Sequence, residues 1–158
     1  MMRRFLVFAI LCLVFATPLA AQFQSPEDAV KALYASYGPG NDPPKNGFDD
    51  KLAAQVFDPS LLDLYQRVTK SGNMDDDFFV QGNDFSLTKP IEIRKVSVDG
   101  EAAQVSAVLT QNLAGQKSPT HYFVFKLVKS DNGWQIDNVY CNGTSVRDVW
   151  NGLLAKAK

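Results

Sequence analysis

Four apolar segments of strand length follow Pro90 with no helical period between them: residues 91–98, 102–110, 120–129 and 133–140. Each is rich in Val, Ile, Tyr, Phe or Trp, and turn residues separate them: Asp99-Gly100, a loop from Gly115 to Pro119, and Ser130-Asp131-Asn132-Gly133. Strands joined by short turns pair as neighbours, so the second half of the chain reads as an antiparallel meander. Such a sheet buries one face only when something covers it, and the first half supplies helices for the purpose. Ser25-Pro26-Glu27-Asp28 is a helix start followed by Val30, Leu33, Tyr34 and Tyr37 in one stripe. Gly38-Pro39-Gly40 stops that helix, and residues 41–46 form a polar loop. A short helix over 49–56 follows, and Asp58-Pro59-Ser60 opens another with Leu61, Leu62, Leu64, Tyr65 and Val68 on its apolar face. Beyond the meander, Ser145 and Asp148 begin a last helix carrying Val146, Val149, Trp150, Leu153 and Leu154. The expected class is α+β: N-terminal helices packed on a curved four-stranded antiparallel meander, with a C-terminal helix.

The start of the chain has a different composition. Met1-Met2-Arg3-Arg4 is positive, residues 5–16 are apolar without interruption, and Thr17-Pro18-Leu19-Ala20-Ala21 supplies small residues. That is the pattern of a cleaved secretory signal. Twelve apolar residues make a helix of about 18 Å, short of a hydrocarbon core of about 30 Å, so stable membrane insertion after cleavage is not expected. The expected division is a signal peptide over 1–21 and one domain over 22–158, placed in the periplasm or secreted. Losing Arg3 and Arg4 leaves 14 basic residues against 17 acidic ones, a charge of −3. No concentrated basic surface is visible, which argues against nucleic acid as a partner.

The last hairpin has two chemically unequal faces. A four-residue turn puts Leu127 opposite Ile136, Phe125 opposite Asn138 and Phe123 opposite Tyr140, with Lys126 facing Asp137 and Val124 facing Val139. In that register His121 lies on the Phe123 face and Cys141 beside Tyr122 on the other, which separates the two halves of a cysteine–histidine dyad. Cys141 is the only cysteine after the signal, so no internal disulfide forms; it reads as a packed apolar residue or a free thiol. Asn142-Gly143-Thr144 reads as a glycosylation acceptor or as a turn.

Residues 73–84 follow neither period and crowd acids together. Asn73, Asp75, Asp77 and Asp84 fall at positions 1, 3, 5 and 12 of a calcium-loop spacing, but Phe78 stands where the loop needs glycine, so no metal is expected. Among the aromatics, Tyr34, Tyr65, Phe123 and Trp134 are the candidate lining of a pocket between sheet and helices.

The run Met74-Asp75-Asp76-Asp77-Phe78-Phe79-Val80-Gln81-Gly82-Asn83-Asp84-Phe85, the later Asp131-Asn132-Gly133-Trp134-Gln135-Ile136-Asp137-Asn138-Val139 and the closing helix together resemble the bacterial domain of unknown function 3828 family. The resemblance covers about residues 25–154. It implies an exported domain of the nuclear transport factor 2-like, cystatin-like superfamily, and matches Asp75, Asp77, Gln81 and Asp84 to the family's acidic motif. Some members resemble immunity proteins against peptidoglycan-amidase toxins. The functional expectation is a non-enzymatic binding or interaction module with an envelope protein or a small ligand as partner and no cofactor. The alternative is a small-pocket enzyme of the isomerase or dehydratase type that uses a carboxylate and a tyrosine.

Overall fold

The computed structural model describes residues 22–37, 49–74, 76–82, 87, 89–111 and 119–156. The three helix starts read in the first half of the chain are capped as their residues dictate. Leu52 N–H donates to Asp49 Oδ1 and Leu61 N–H to Asp58 Oδ1, both at 2.8 Å, and Asp28 N–H donates to Ser25 Oγ at 3.2 Å. These caps open α1 (Pro26–Ala35), α2 (Asp50–Val56) and α3 (Pro59–Ser71), and α3 ends on Gly72 in the left-handed conformation. The sequence reading of Gly38-Pro39-Gly40 and of the 41–46 loop lies outside the described residues.

The sheet runs β1 (Glu92–Asp99), β2 (Ala102–Thr110), β3 (Thr120–Ser130), β4 (Gly133–Cys141) and β5 (Thr144–Ser145), all antiparallel neighbours, and α4 (Val146–Lys156) follows. Among the described residues the strands number five, not four. Asn142 (φ 49°) and Gly143 (φ 88°) form a two-residue turn with both φ positive, which folds β5 back onto the end of β4.

Helices cover one sheet face. Val105, Ala107, Leu109, Phe123, Phe125, Leu127, Ile136 and Val139 point into that layer and meet α1, α3 and α4. Phe57 stacks on Phe79 at 5.8 Å and meets Trp150 edge-on at 6.3 Å, filling the middle of the core. The opposite face stays open on β2 and β3, where alternate residues are partly or fully exposed. The second edge of β4 is covered by short pieces of chain: Phe23 bridges Gly133, and Phe57 bridges Ile136.

The hairpin register departs from the expected one. Leu127 does face Ile136, but a bulge between Lys126 and Leu127 then shifts the ladder, so that Lys126 faces Asn138, Phe125 faces Val139, Val124 faces Tyr140 and Phe123 faces Cys141. Asp137 is the extra residue. The physical reason is burial: without the bulge Asn138 would stand on the apolar face and Val139 and Cys141 on the open one. Cys141 therefore shares the helix-covered face with His121, and the expected separation of the two is overturned. The Lys126–Asp137 pair is also absent. Lys126 Nζ donates to Gln104 Oε1 at 2.6 Å, while Asp137 accepts from Arg147 Nη2 at 2.8 Å.

Arg147, in the first turn of α4, also donates to the Asp137 carbonyl at 2.9 Å, to Ser60 Oγ at 2.6 Å and to Asp58 Oδ1 at 3.3 Å. It ties the β4 bulge to the cap of α3. Arg147→Ala should cost about 1.5–3 kcal/mol, the range of hydrogen bonds to charged groups, and Lys126→Ala no more than about 0.5 kcal/mol. In double-mutant cycles by urea unfolding, Asp137 should couple to Arg147 and not to Lys126; the reverse pattern would restore the unbulged register.

Candidate functional site

A cluster of residues able to carry chemistry gathers at the end of the sheet where β2 stops and β3 starts, under the turn 77–82. The turn is built locally. Asp77 Oδ1 accepts from Phe79 N–H at 2.8 Å, and Gln81, at φ 56°, folds its side chain back to donate to the Phe78 carbonyl at 2.6 Å. Phe78, Phe79 and Val80 are thereby pressed into the core.

Helix α1 and the turn that ends it reach this segment with two tyrosines, Tyr34 in the helix and Tyr37 just beyond it. Tyr37 donates to Asp77 Oδ2 at 2.5 Å and Tyr34 to the Phe79 carbonyl at 2.8 Å. Burial, and then the charge of Asp77, push both phenols well above their ordinary value. Burial also raises the Asp77 carboxyl, against the lowering effect of its bonds from Tyr37 and Phe79 N–H. Both carboxylate oxygens thus accept from protein donors, and each phenol is a neutral donor already engaged.

From the sheet side, Gln111 donates its amide to the Val80 carbonyl, and its Oε1 lies 3.1 Å from His121 Nε2. Cys141 pairs with Phe123, two residues along β3 from His121. Among the described residues no hydrogen bond joins His121 to Cys141. Burial lifts the Cys141 thiol to about 11, so it is not a thiolate at neutral pH. Sharing a face does not make these residues a dyad.

The sequence-derived candidates separate. Asp77 and Gln81 form the turn, Asp77 inward and Gln81 outward, whereas Asp75 and Asp84 lie outside the described residues. Tyr34 meets Phe123 edge-on at 6.2 Å; Tyr65 packs instead on Phe57 and Trp150, and Trp134 lies beneath Lys129 at the far end of the hairpin. All four are buried. Among the described residues, no three of His, Cys, Asp and Glu cluster as metal ligands, and no helix is long and apolar enough to cross a membrane. Two residues of the cluster escaped the sequence reading as site members. Tyr37 was one more apolar stripe position, and Gln111 is the polar residue that continues the apolar alternation Val105, Ala107, Leu109.

Asp77 gives a pH signature. Its folded value is raised above the unfolded one near 3.8, so its contribution to stability is full below 3.8 and is lost as pH rises through the folded value. Across that window the urea midpoint of wild type should fall relative to that of Asp77→Asn. A difference that rises with pH would contradict the buried, internally bonded carboxylate.

The open face of the sheet is chemically different. Tyr122 is 62% exposed and Val128 38% exposed on β3, with Val108, Val124 and Tyr140 partly exposed beside them. A shallow groove of about 340 Å³ lies at the Val128 end of this face, lined by Ser97, Gln104, Lys126, Val128 and Asp137.

No family model and no curated protein matches this chain. Among solved structures it is similar to the intermembrane space region of the chloroplast protein ARC6, with 18% identity and a TM-score of 0.48 over 75% of this chain and 94% of that one. It is also similar to a phospholipid-binding protein from Ralstonia solanacearum solved in complex with a phospholipid, with 14% identity and a TM-score of 0.43 over 82% and 83%.

Proposed function

We propose that the chain is an exported, non-enzymatic interaction module that binds an envelope protein through the open face of its sheet. The observation that carries this reading is the exposed Tyr122 and Val128, with Val124 between them, on a face that no described helix covers. Small-molecule sites are concave and enclose most of their ligand, whereas a broad open sheet face that carries an exposed tyrosine suits a protein surface. An immunity-like role, with a peptidoglycan-amidase toxin as the partner, is the finer form of this reading and follows the family resemblance alone.

Export belongs to the same proposal. Gln22 N–H donates to the Asn132 carbonyl at 2.8 Å and Phe23 bridges Gly133, so cleavage after Ala21 leaves these anchors whole. Amino-terminal sequencing of the periplasmic species should read from Gln22; Met1 retained on a membrane-embedded species would contradict it.

The interaction surface is tested with Tyr122→Thr and Val128→Thr together, which keep strand propensity and remove the apolar anchors. Capture of envelope proteins from periplasmic extract should fall at least about tenfold, equivalent to about 1.4 kcal/mol of binding, with thermal stability nearly unchanged. Undiminished capture would overturn the surface. The second reading, a carboxylate–tyrosine enzyme, draws on the Tyr37–Asp77 bond. Against it stand the occupied oxygens of Asp77 and the engagement of Asp137 with Arg147 rather than with Tyr34 or Tyr65.

A further inference from the structure

The hydrogen bonds around Gln111 fix a proton that coordinates alone do not reveal. The Val80 carbonyl can only accept, so the Gln111 amide nitrogen must face it and Oε1 must face His121. Oε1 can only accept in turn. Neutral His121 therefore carries its proton on Nε2 and leaves Nδ1 as a bare lone pair. That Nδ1 is buried and has no hydrogen-bond partner among the described residues.

We propose that His121 is a proton-operated release for the 77–82 turn. The chain of contacts Val80 carbonyl, Gln111, His121 Nε2 is the tie between the turn and the sheet end, and Gln111 itself is buried. A proton arriving at Nδ1 creates a second N–H in a place that offers it no described acceptor, and a buried unpaired donor is costly. Rotation of the partly exposed ring toward solvent satisfies the new N–H but withdraws Nε2 from Gln111. Gln111 Oε1 is then buried and unpaired, and the clasp on Val80 loosens.

The titratable groups nearest this corner are Asp77 in the turn, Tyr34 of α1, Tyr37 just beyond α1 and Cys141 of β4; Glu27 and Asp28 lie in the first turn of α1, Asp137 bonds to Arg147, and Tyr140 lies on the open face. Among the described residues His121 bonds to none of them. The cations on the same elements, Lys31 on α1 and Lys126 and Lys129 on β3, are exposed to solvent. Burial accordingly holds the imidazole below its usual 6.5. The sign follows: the stability from neutral His121 is full above 6.5 and is lost as pH falls through the folded value.

The test is amide hydrogen exchange on the full chain at about pH 7.5 and about pH 5, corrected for intrinsic rates. Protection of amides 78–82 should fall about tenfold in acid, while amides 103–109 hold. His121→Gln keeps an N–H for Gln111 and cannot titrate, so it should lose less than about twofold. An equal acid response in both proteins, or none in wild type, overturns the switch. The His121 ring titration, followed by NMR in wild type, keeps the test independent of how well the variant folds. Its midpoint should lie below 6.5 and coincide with the loss of turn protection, and a midpoint at or above 6.5 would overturn the proposal.

Discussion

Gly133→Ala should destabilise the protein by about 3–5 kcal/mol, although it adds a single methyl group. Gly133 stands at φ 97°, where a side chain is strained, and its added Cβ would lie 2.5 Å from the Phe23 carbonyl oxygen and 2.9 Å from Phe23 N. Both neighbours are backbone atoms, and that oxygen accepts from Trp134 N–H at 3.0 Å. The backbone strain accounts for about 1–3 kcal/mol, and displacing Phe23 from the core adds about 1.5–3 kcal/mol. Gly100→Ala is the control. Its φ of 58° is also positive, but nothing lies within 4 Å of the added carbon, so its cost should stay near the conformational penalty of about 1–2 kcal/mol. Equal midpoints for the two variants in urea unfolding would remove the close approach of Phe23 to the hairpin.

Trp134→Ala should cost a similar amount, about 3–5 kcal/mol, a large share of the 5–15 kcal/mol typical of a whole domain. The indole is buried in the core at the turn end of β4, and Lys129 Nζ lies 5.9 Å from the ring centroid. Truncation leaves a large cavity that the surrounding strands, held by their ladder, cannot collapse to fill. Trp134→Phe should recover more than half of the loss. A cost below about 1.5 kcal/mol for the alanine variant would mean that the ring is exposed.

The helices and strands were legible because their signals are local. Ser25, Asp49 and Asp58 each cap a helix within three residues, and the four long strands alternate or concentrate β-branched and aromatic residues. The hairpin was misread through an assumption of unbroken pairing. Apolar residues occupy even positions at Trp134 and Ile136 and odd ones at Val139 and Cys141, and that change of parity is the mark of the bulge at Asp137. The fifth strand, two residues long, has no period to read. The cluster under the 77–82 turn was hidden for another reason: Tyr37 and Asp77 are 40 residues apart, and Gln111 meets Val80 across 31. Such pairs are set by packing. The exposed Tyr122 was likewise invisible as a surface feature, because alternation gives the face of a residue but not whether anything covers that face.

The central claim, that the open face of the sheet is where this protein meets its partner, is tested most directly by site-specific photocrosslinking in intact cells. A photoreactive side chain at position 122 should yield a discrete adduct with an envelope protein, and one at position 63, on the exposed side of α3, should yield none. A discrete adduct from position 63 with none from position 122 would contradict the account.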